Sequence, residues 1–193
     1  MRRILALALV FLALSGCGTP LQLKGTRIEP PKAAPDFTLT DEQGQPFTLS
    51  AHQGQVTVLF FGFASCPDIC PTELGNLAAA LRQLGDEAKS VQVVFVSVDP
   101  ERDTVTRLRQ YVTTFDPRFK GLWGEKAIID PLVKAYGASY ERRDLPGSAL
   151  VYTIDHSAFT YVIDKAGRWR EVFAFGTTVA DLVTDLRALA RER

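Results

Sequence analysis

Between residues 56 and 63 the chain reads VTVLFFGF, eight positions without a charged side chain. A continuous β-branched and aromatic run of this length predicts a strand buried on both faces, as in a parallel sheet covered by helices. VQVVFVSVD (91–99) predicts a second such strand. After the first run, Leu74, Leu77, Ala78, Leu81 and Leu84 fall on one helical face that Gly85 closes. After the second, Val105, Leu108, Val112 and Phe115 form another helical face. Upstream, FTLTDEQGQPFTL places two short alternating runs around a Gly turn and predicts a β-hairpin. Downstream, AFTYVIDKAGRWREVFAFG predicts strand, turn and strand, and TTVADLVTDLRALARER a final helix with a Thr cap and Asp181 close behind. The order is hairpin, then βαβα, then ββα. That alternation argues for α/β layers, and specifically for a thioredoxin-like fold with an N-terminal β-hairpin extension.

Two segments stand outside this pattern. MRRILALALVFLALSGC opens with two arginines, continues with an apolar run and ends in small residues before Cys17. This is the layout of a secretory signal, and the run is short for a membrane span, which takes about 20 apolar residues. LSGC resembles a bacterial lipobox, which predicts cleavage after residue 16 and lipid on Cys17. Residues 18–35, rich in Pro and Gly with no apolar period, read as a tether. The expected organisation is a signal peptide at 1–16, a lipidated Cys and tether at 17–35, and one folded domain at 36–193. The chain is then exported and lipid-anchored, with its domain facing the periplasm or extracytoplasmic side.

Lys+Arg and Asp+Glu balance at 22 each, so no basic excess favours nucleic acid. Three cysteines are an odd count for an exported protein. Lipid on Cys17 leaves Cys66 and Cys70 as an isolated pair in FFGFASCPDICPTEL. Pro71 suits a first helical position, which would put Cys70 at or beside the helix N-cap, where free N–H groups favour thiolate. No Lys or Arg lies between Lys32 and Arg82, so the helix end is the one positive field visible near the loop. The C-x-x-x-C spacing is wider than the C-x-x-C of thioredoxin-type redox pairs, yet it still permits a disulfide or a shared soft ion such as Cu(I) or Zn. Two sulfurs alone make a poor structural zinc site, so a third ligand must come from elsewhere. The one methionine is Met1 and the histidines are His52 and His156. His52 reads as a surface loop residue. His156 precedes a strand whose entry loop, in a thioredoxin fold, lies against the cysteine loop.

FGFASCPDICPTEL, VSVDPERDTV with LRQYVTTFDPRFKGLWG, and YTIDHSAFTYVIDKAG together resemble the SCO/SenC family of copper chaperones over residues 33–190. The resemblance implies one copper ion per chain, as Cu(I) or Cu(II), held by Cys66, Cys70 and His156. It also implies delivery to the CuA site of cytochrome c oxidase subunit II, with another periplasmic copper chaperone or a thioredoxin-like reductase as a further partner. Asp68, Asp155 and Asp164 are candidates for a supporting role around the ligands, against plainer roles in turns or at the surface. The chain departs from the family after GLWG, where Pro131 interrupts a helical stretch. Asp130 is therefore expected to cap a fresh helix with Pro131 in its first turn. Two readings stay open: a metallochaperone that is not itself an enzyme, and a periplasmic thiol–disulfide oxidoreductase using Cys66 and Cys70 as a redox pair. A peroxidase lacks its usual sequence lead-in here.

Overall fold

In the computed structural model, residues 22–192 are described. The expected signal peptide and Cys17 lie outside them. The buried run forms β4 (Val56–Gly62), and the second run forms β5 (Val91–Ser97) beside it in parallel. β6 (Lys120–Leu122) extends the parallel side. On the other side of β4 lie β9 (Phe159–Ile163), then β10 (Arg168–Ala174), then β1 (Thr26–Ala33), each antiparallel to its neighbour. The six-stranded order is β1-β10-β9-β4-β5-β6.

Alternation along β4 feeds two cores. Val56, Val58 and Phe60 pack with helices α1 (Ile69–Leu84), α2 (Val105–Thr113) and α4 (Val179–Arg191). Leu59 and Phe61 face the other way, against α3 (Lys126–Ala135), the hairpin of β2 (Thr38–Thr40) with β3 (Pro46–Thr48), and a second hairpin of β7 (Tyr140–Asp144) with β8 (Tyr152–His156). Both faces of the central strands are covered, which is why those strands read as unbroken apolar runs.

Three expectations need correction. The tether is shorter than residues 17–35, because β1 occupies Thr26–Ala33 and caps the edge of β10. The strand is exposed along most of its length and has no apolar period. It is held by backbone pairing to a sheet edge, and Pro30 and Pro31 fall where its register is broken, so no ladder donor is lost there. Second, α3 does not restart at Pro131. It runs unbroken from Lys126, with Glu125 at its N-cap and Pro131 inside. Ile129, Leu132 and Val133 bury against the sheet across the proline, and that packing outweighs the one backbone bond it forgoes. Asp130 accepts from Lys126 Nζ at 2.9 Å and from the Tyr140 hydroxyl instead of capping. Third, β7 and β8 form a hairpin that the charged stretch YERRD did not announce.

Where β1 begins, Asp185 of α4 accepts from the backbone N–H groups of Lys24 (2.5 Å) and Gly25 (3.0 Å). Its other oxygen and both oxygens of Glu171 are buried without a donor among the described residues. Burial, then the neighbouring Asp185 carboxylate, push the Glu171 carboxyl up to about 9. Glu171 is therefore protonated at neutral pH, and its O–H can donate to the Asp185 oxygen that the backbone N–H groups leave free. The folded chain keeps this proton while the unfolded chain releases it above its ordinary value of 4.5, so stability falls as pH rises from there toward 9. Glu171→Gln keeps the shape and supplies an N–H at every pH. It should raise Tm on the order of 5 °C at pH 8 and little at pH 5. Equal shifts at both pH values in thermal melts would contradict a shared proton.

Candidate metal centre

β4 ends at Gly62, and the chain turns through residues 63–68 into α1. The helix starts at Ile69, so Cys70 is its second residue and Pro71 its third, two positions later than the proline alone suggested. The first four helical N–H groups have no partner within the helix, so a proline at the third position still costs no bond. Asp68 sits at the N-cap, but its side chain makes no capping bond. Sulfur takes that place: Cys66 Sγ accepts from the Cys70 backbone N–H at 3.4 Å. Cys70 is fully buried behind it, against Gly62, where an added Cβ would lie 2.6 Å from Cys70 Sγ. Glycine at 62 is what leaves room for the second sulfur.

His156 is the last residue of β8 and is half-buried. Its Nε2 lies 3.4 Å from Cys70 Sγ. Its Nδ1 lies 3.1 Å from the Ser157 carbonyl oxygen, which can only accept, so Nδ1 donates there and Nε2 is left facing the sulfurs. The edges of Phe60 and Phe63 brace the ring, at centroid distances of 6.0 and 5.8 Å. The donor atoms of Cys66, Cys70 and His156 all lie within 4.8 Å of one another, the one such cluster found among the described residues. Both thiols are free. Two sulfurs and an imidazole at these separations suit a soft ion in a three-coordinate setting.

The two sulfurs are electrically unlike. A hydrogen bond from the Cys70 side chain, helped by His156 and by the backbone N–H groups of Cys70 and Asp68, lowers the half-exposed Cys66 thiol to about 4 against the opposing effect of burial. Burial and the neighbouring Cys66 charge push Cys70 far upward. The metal-free pair is thus a Cys66 thiolate with Cys70 as the thiol that donates to it. Tyr111, whose buried hydroxyl has no partner among the described residues, is pushed up chiefly by burial.

The structure brings Cys66, Cys70 and His156 together and leaves the three candidate carboxylates outside. Asp68 is exposed in the loop. Asp155 is exposed, and its two oxygens take Arg143 at 2.9 and 3.2 Å. Neighbouring side chains alternate faces along a strand, so it turns away from His156. Asp164 lies beyond the opposite end of β9, caps the turn to Ala166 and Arg168, and pairs with Arg168 and Arg170. The Ser157 carbonyl, not a carboxylate, orients His156. His52 stacks on Phe47 and belongs to no ligand cluster among the described residues. A cation does reach the cysteine loop from far along the chain: Arg107 Nη2 donates to Ser65 Oγ at 2.8 Å. A search confined to residues near Cys66 in sequence could not find it.

A profile of the family described as SCO1/SenC matches residues 25–191. The SCO2-like protein of Rickettsia conorii is 33% identical over 156 residues, spanning 81% of this chain and 76% of that protein. Among solved structures, Bradyrhizobium japonicum ScoI with copper bound aligns at TM-score 0.74 and 35% identity, over 81% of this chain and 99% of that one. Apo Sco1 from Thermus thermophilus aligns at TM-score 0.77 and 38% identity, over 89% and 99%. The shared fold is the thioredoxin-like one expected from the order of elements.

Proposed function

The chain belongs to the SCO1/SenC family, and from that premise we propose that it is a copper metallochaperone carrying one ion on Cys66, Cys70 and His156. The carrying observation is the convergence of two sulfurs and one imidazole nitrogen within 4.8 Å. The donor chemistry fits the cargo. Thiolates favour Cu(I), and the imidazole keeps Cu(II) accessible. Cys66 is already ionised, so loading displaces one proton, from Cys70. Pro67 and Asp68 beside Cys66 are exposed, and Cys66 itself is half-exposed. An acceptor's ligand can therefore reach the ion from the Cys66 side and take it over by stepwise exchange.

The client in this reading is the CuA site of cytochrome c oxidase subunit II, with a second copper chaperone or a thioredoxin-like reductase restoring the loaded or reduced state. The arginine-led apolar run and lipobox at residues 1–17 support export and a lipid anchor. No helix among the described residues is long and apolar enough to cross a membrane. One observation favours thiol–disulfide exchange as a second activity: Cys66 carries the raised acidity of a thiol held as thiolate, with Cys70 beside it to resolve a mixed disulfide.

Titrating the reduced protein with Cu(I) against a competing chelator should give one tightly held ion per chain. Copper held no better than by an ordinary dithiol would hand the site to the oxidoreductase reading.

A further inference from the structure

Between β5 and α2 runs the segment VDPERDT, whose charged residues look solvated in sequence. In the fold, Asp99 is 3% exposed and Asp103 not at all. Arg102 and Asp103, adjacent in the chain, reach in two directions. Arg102 turns toward the hairpin that carries His156. Its Nη1 donates to the carbonyls of Leu150 (3.2 Å) and Tyr152 (2.9 Å), and its Nε to Asp99 at 2.5 Å. Asp99 in turn accepts from the Tyr152 hydroxyl at 2.7 Å. The Arg102 guanidinium carbon lies 3.6 Å from the centroid of the Tyr152 ring and 5.8 Å from that of Phe63, the ring that braces His156. Asp103 turns toward the cysteine loop. Its Oδ2 accepts from the Ala64 backbone N–H (2.9 Å) and from Ser97 Oγ (2.7 Å). Its Oδ1 faces Arg107 Nε at 3.4 Å, and Arg107 holds Ser65.

Building on the copper reading, we propose that Arg102 and Asp103 are positioning residues for the site. Arg102 sets the His156 imidazole, Asp103 sets Cys66, and their adjacency fixes the distance between nitrogen and sulfur. The hairpin needs such a lock, because β7 and β8 form a two-stranded sheet of their own outside the six-stranded sheet. A lone hairpin is marginal in water, and its placement depends on what holds it. Tyr152 lies four residues before His156, and Ala64 two before Cys66, so each anchor is one short lever from its ligand. Fixing first ligands through outer partners is the general way metal sites are tuned, and loss of such a partner typically costs about 10–100-fold in affinity.

The test separates the two arms in the full-length protein. Arg102→Met keeps the stem and removes the fork. It should weaken Cu(I) binding about 10–100-fold in the otherwise native protein, yet change it less than about twofold in a His156→Ala background, since its effect passes through that ring. Arg102→Lys keeps the charge, but a single ammonium cannot hold Asp99 through one nitrogen and the two carbonyls through another while lying flat on Tyr152, so it should resemble Met. Asp103→Asn turns an amide N–H₂ toward Arg107 or Ala64. It should shift the metal-free thiol–disulfide equilibrium of Cys66 and Cys70 against glutathione by about fivefold or more, while Arg102→Met leaves that equilibrium within about twofold. Amide hydrogen exchange in metal-free protein should speed up at 152–156 in Arg102→Met only. Additivity of Arg102→Met with His156→Ala, recovery in Arg102→Lys, or equal shifts of every readout in both variants would overturn the proposal. A wild type without tight copper would instead overturn the copper reading and leave the exchange and disulfide arms to decide the positioning.

Discussion

Cys66→Ser is expected to lower Cu(I) affinity by well over a hundredfold, and His156→Ala by less, with the gap narrowing for Cu(II). Loss of an outer partner costs a metal site about 10–100-fold, so loss of a direct ligand must exceed that range. Serine offers a hard, protonated oxygen where the site had a sulfur that is ionised at neutral pH. The penalty falls hardest on the soft ion, Cu(I). Imidazole is a borderline donor that matters more to Cu(II), so His156→Ala should be costly with the oxidised ion. Removing the ring also leaves the edges of Phe60 and Phe63 without their neighbour, a packing loss at a half-exposed position that melting curves can measure separately. Chelator competition with each oxidation state reads the ranking. His156→Ala binding either ion as well as the native chain would end the three-ligand arrangement.

The sequence carried this site's ligands because scarcity did the selecting. With Met1 as the one methionine and two histidines, a soft centre at Cys66 and Cys70 had few places to find a third donor. The elements that present the ligands were legible for a different reason. β4 and α1 are buried elements whose apolar period is set by the sheet and its cover. What stayed hidden has its stabilisation elsewhere. β1 is held by backbone bonds to β10, and backbone donors leave no mark on side-chain pattern. β7 and β8 are tied down by guanidinium groups lying on Tyr152, so YERRD looks like a solvated turn until Arg102 and Arg142 are seen stacked on that ring. Nothing in the sequence marks Asp103, since what buries it comes from β5, the cysteine loop and α2. Asp164 made the opposite error possible. It follows the same strand that His156 precedes, and sequence proximity gave no hint that the strand's length separates them.

Alkylation of Cys66 in the reduced, metal-free protein should be nearly independent of pH between 5 and 8. Over that interval an ordinary thiol of pKa ~8.5 gains close to a thousandfold in rate, because its thiolate fraction rises by that much. A thiol lowered to about 4 is already ionised at pH 5. The thiolate is also a weaker nucleophile: with a Brønsted slope of about 0.4–0.5, the fall from ~8.5 to about 4 costs roughly a hundredfold in intrinsic reactivity. The two effects cross. Cys66 should react some tens of times faster than free cysteine at pH 5 and some tens of times slower at pH 8, with equality between pH 6 and 7. Cys70, fully buried and pushed upward, should stay unmodified throughout. Mass analysis of the peptide carrying both residues distinguishes them from Cys17. A rate for Cys66 that climbs with pH like an ordinary thiol would mean that neither the Cys70 bond nor the N–H groups of α1 hold its charge. The flat profile bears on both proposed activities at once. A weakly basic thiolate competes poorly with hydroxide as a general nucleophile but needs no proton removed before it meets a metal ion, so the acidity that makes Cys66 a modest attacker at neutral pH makes it a ready ligand.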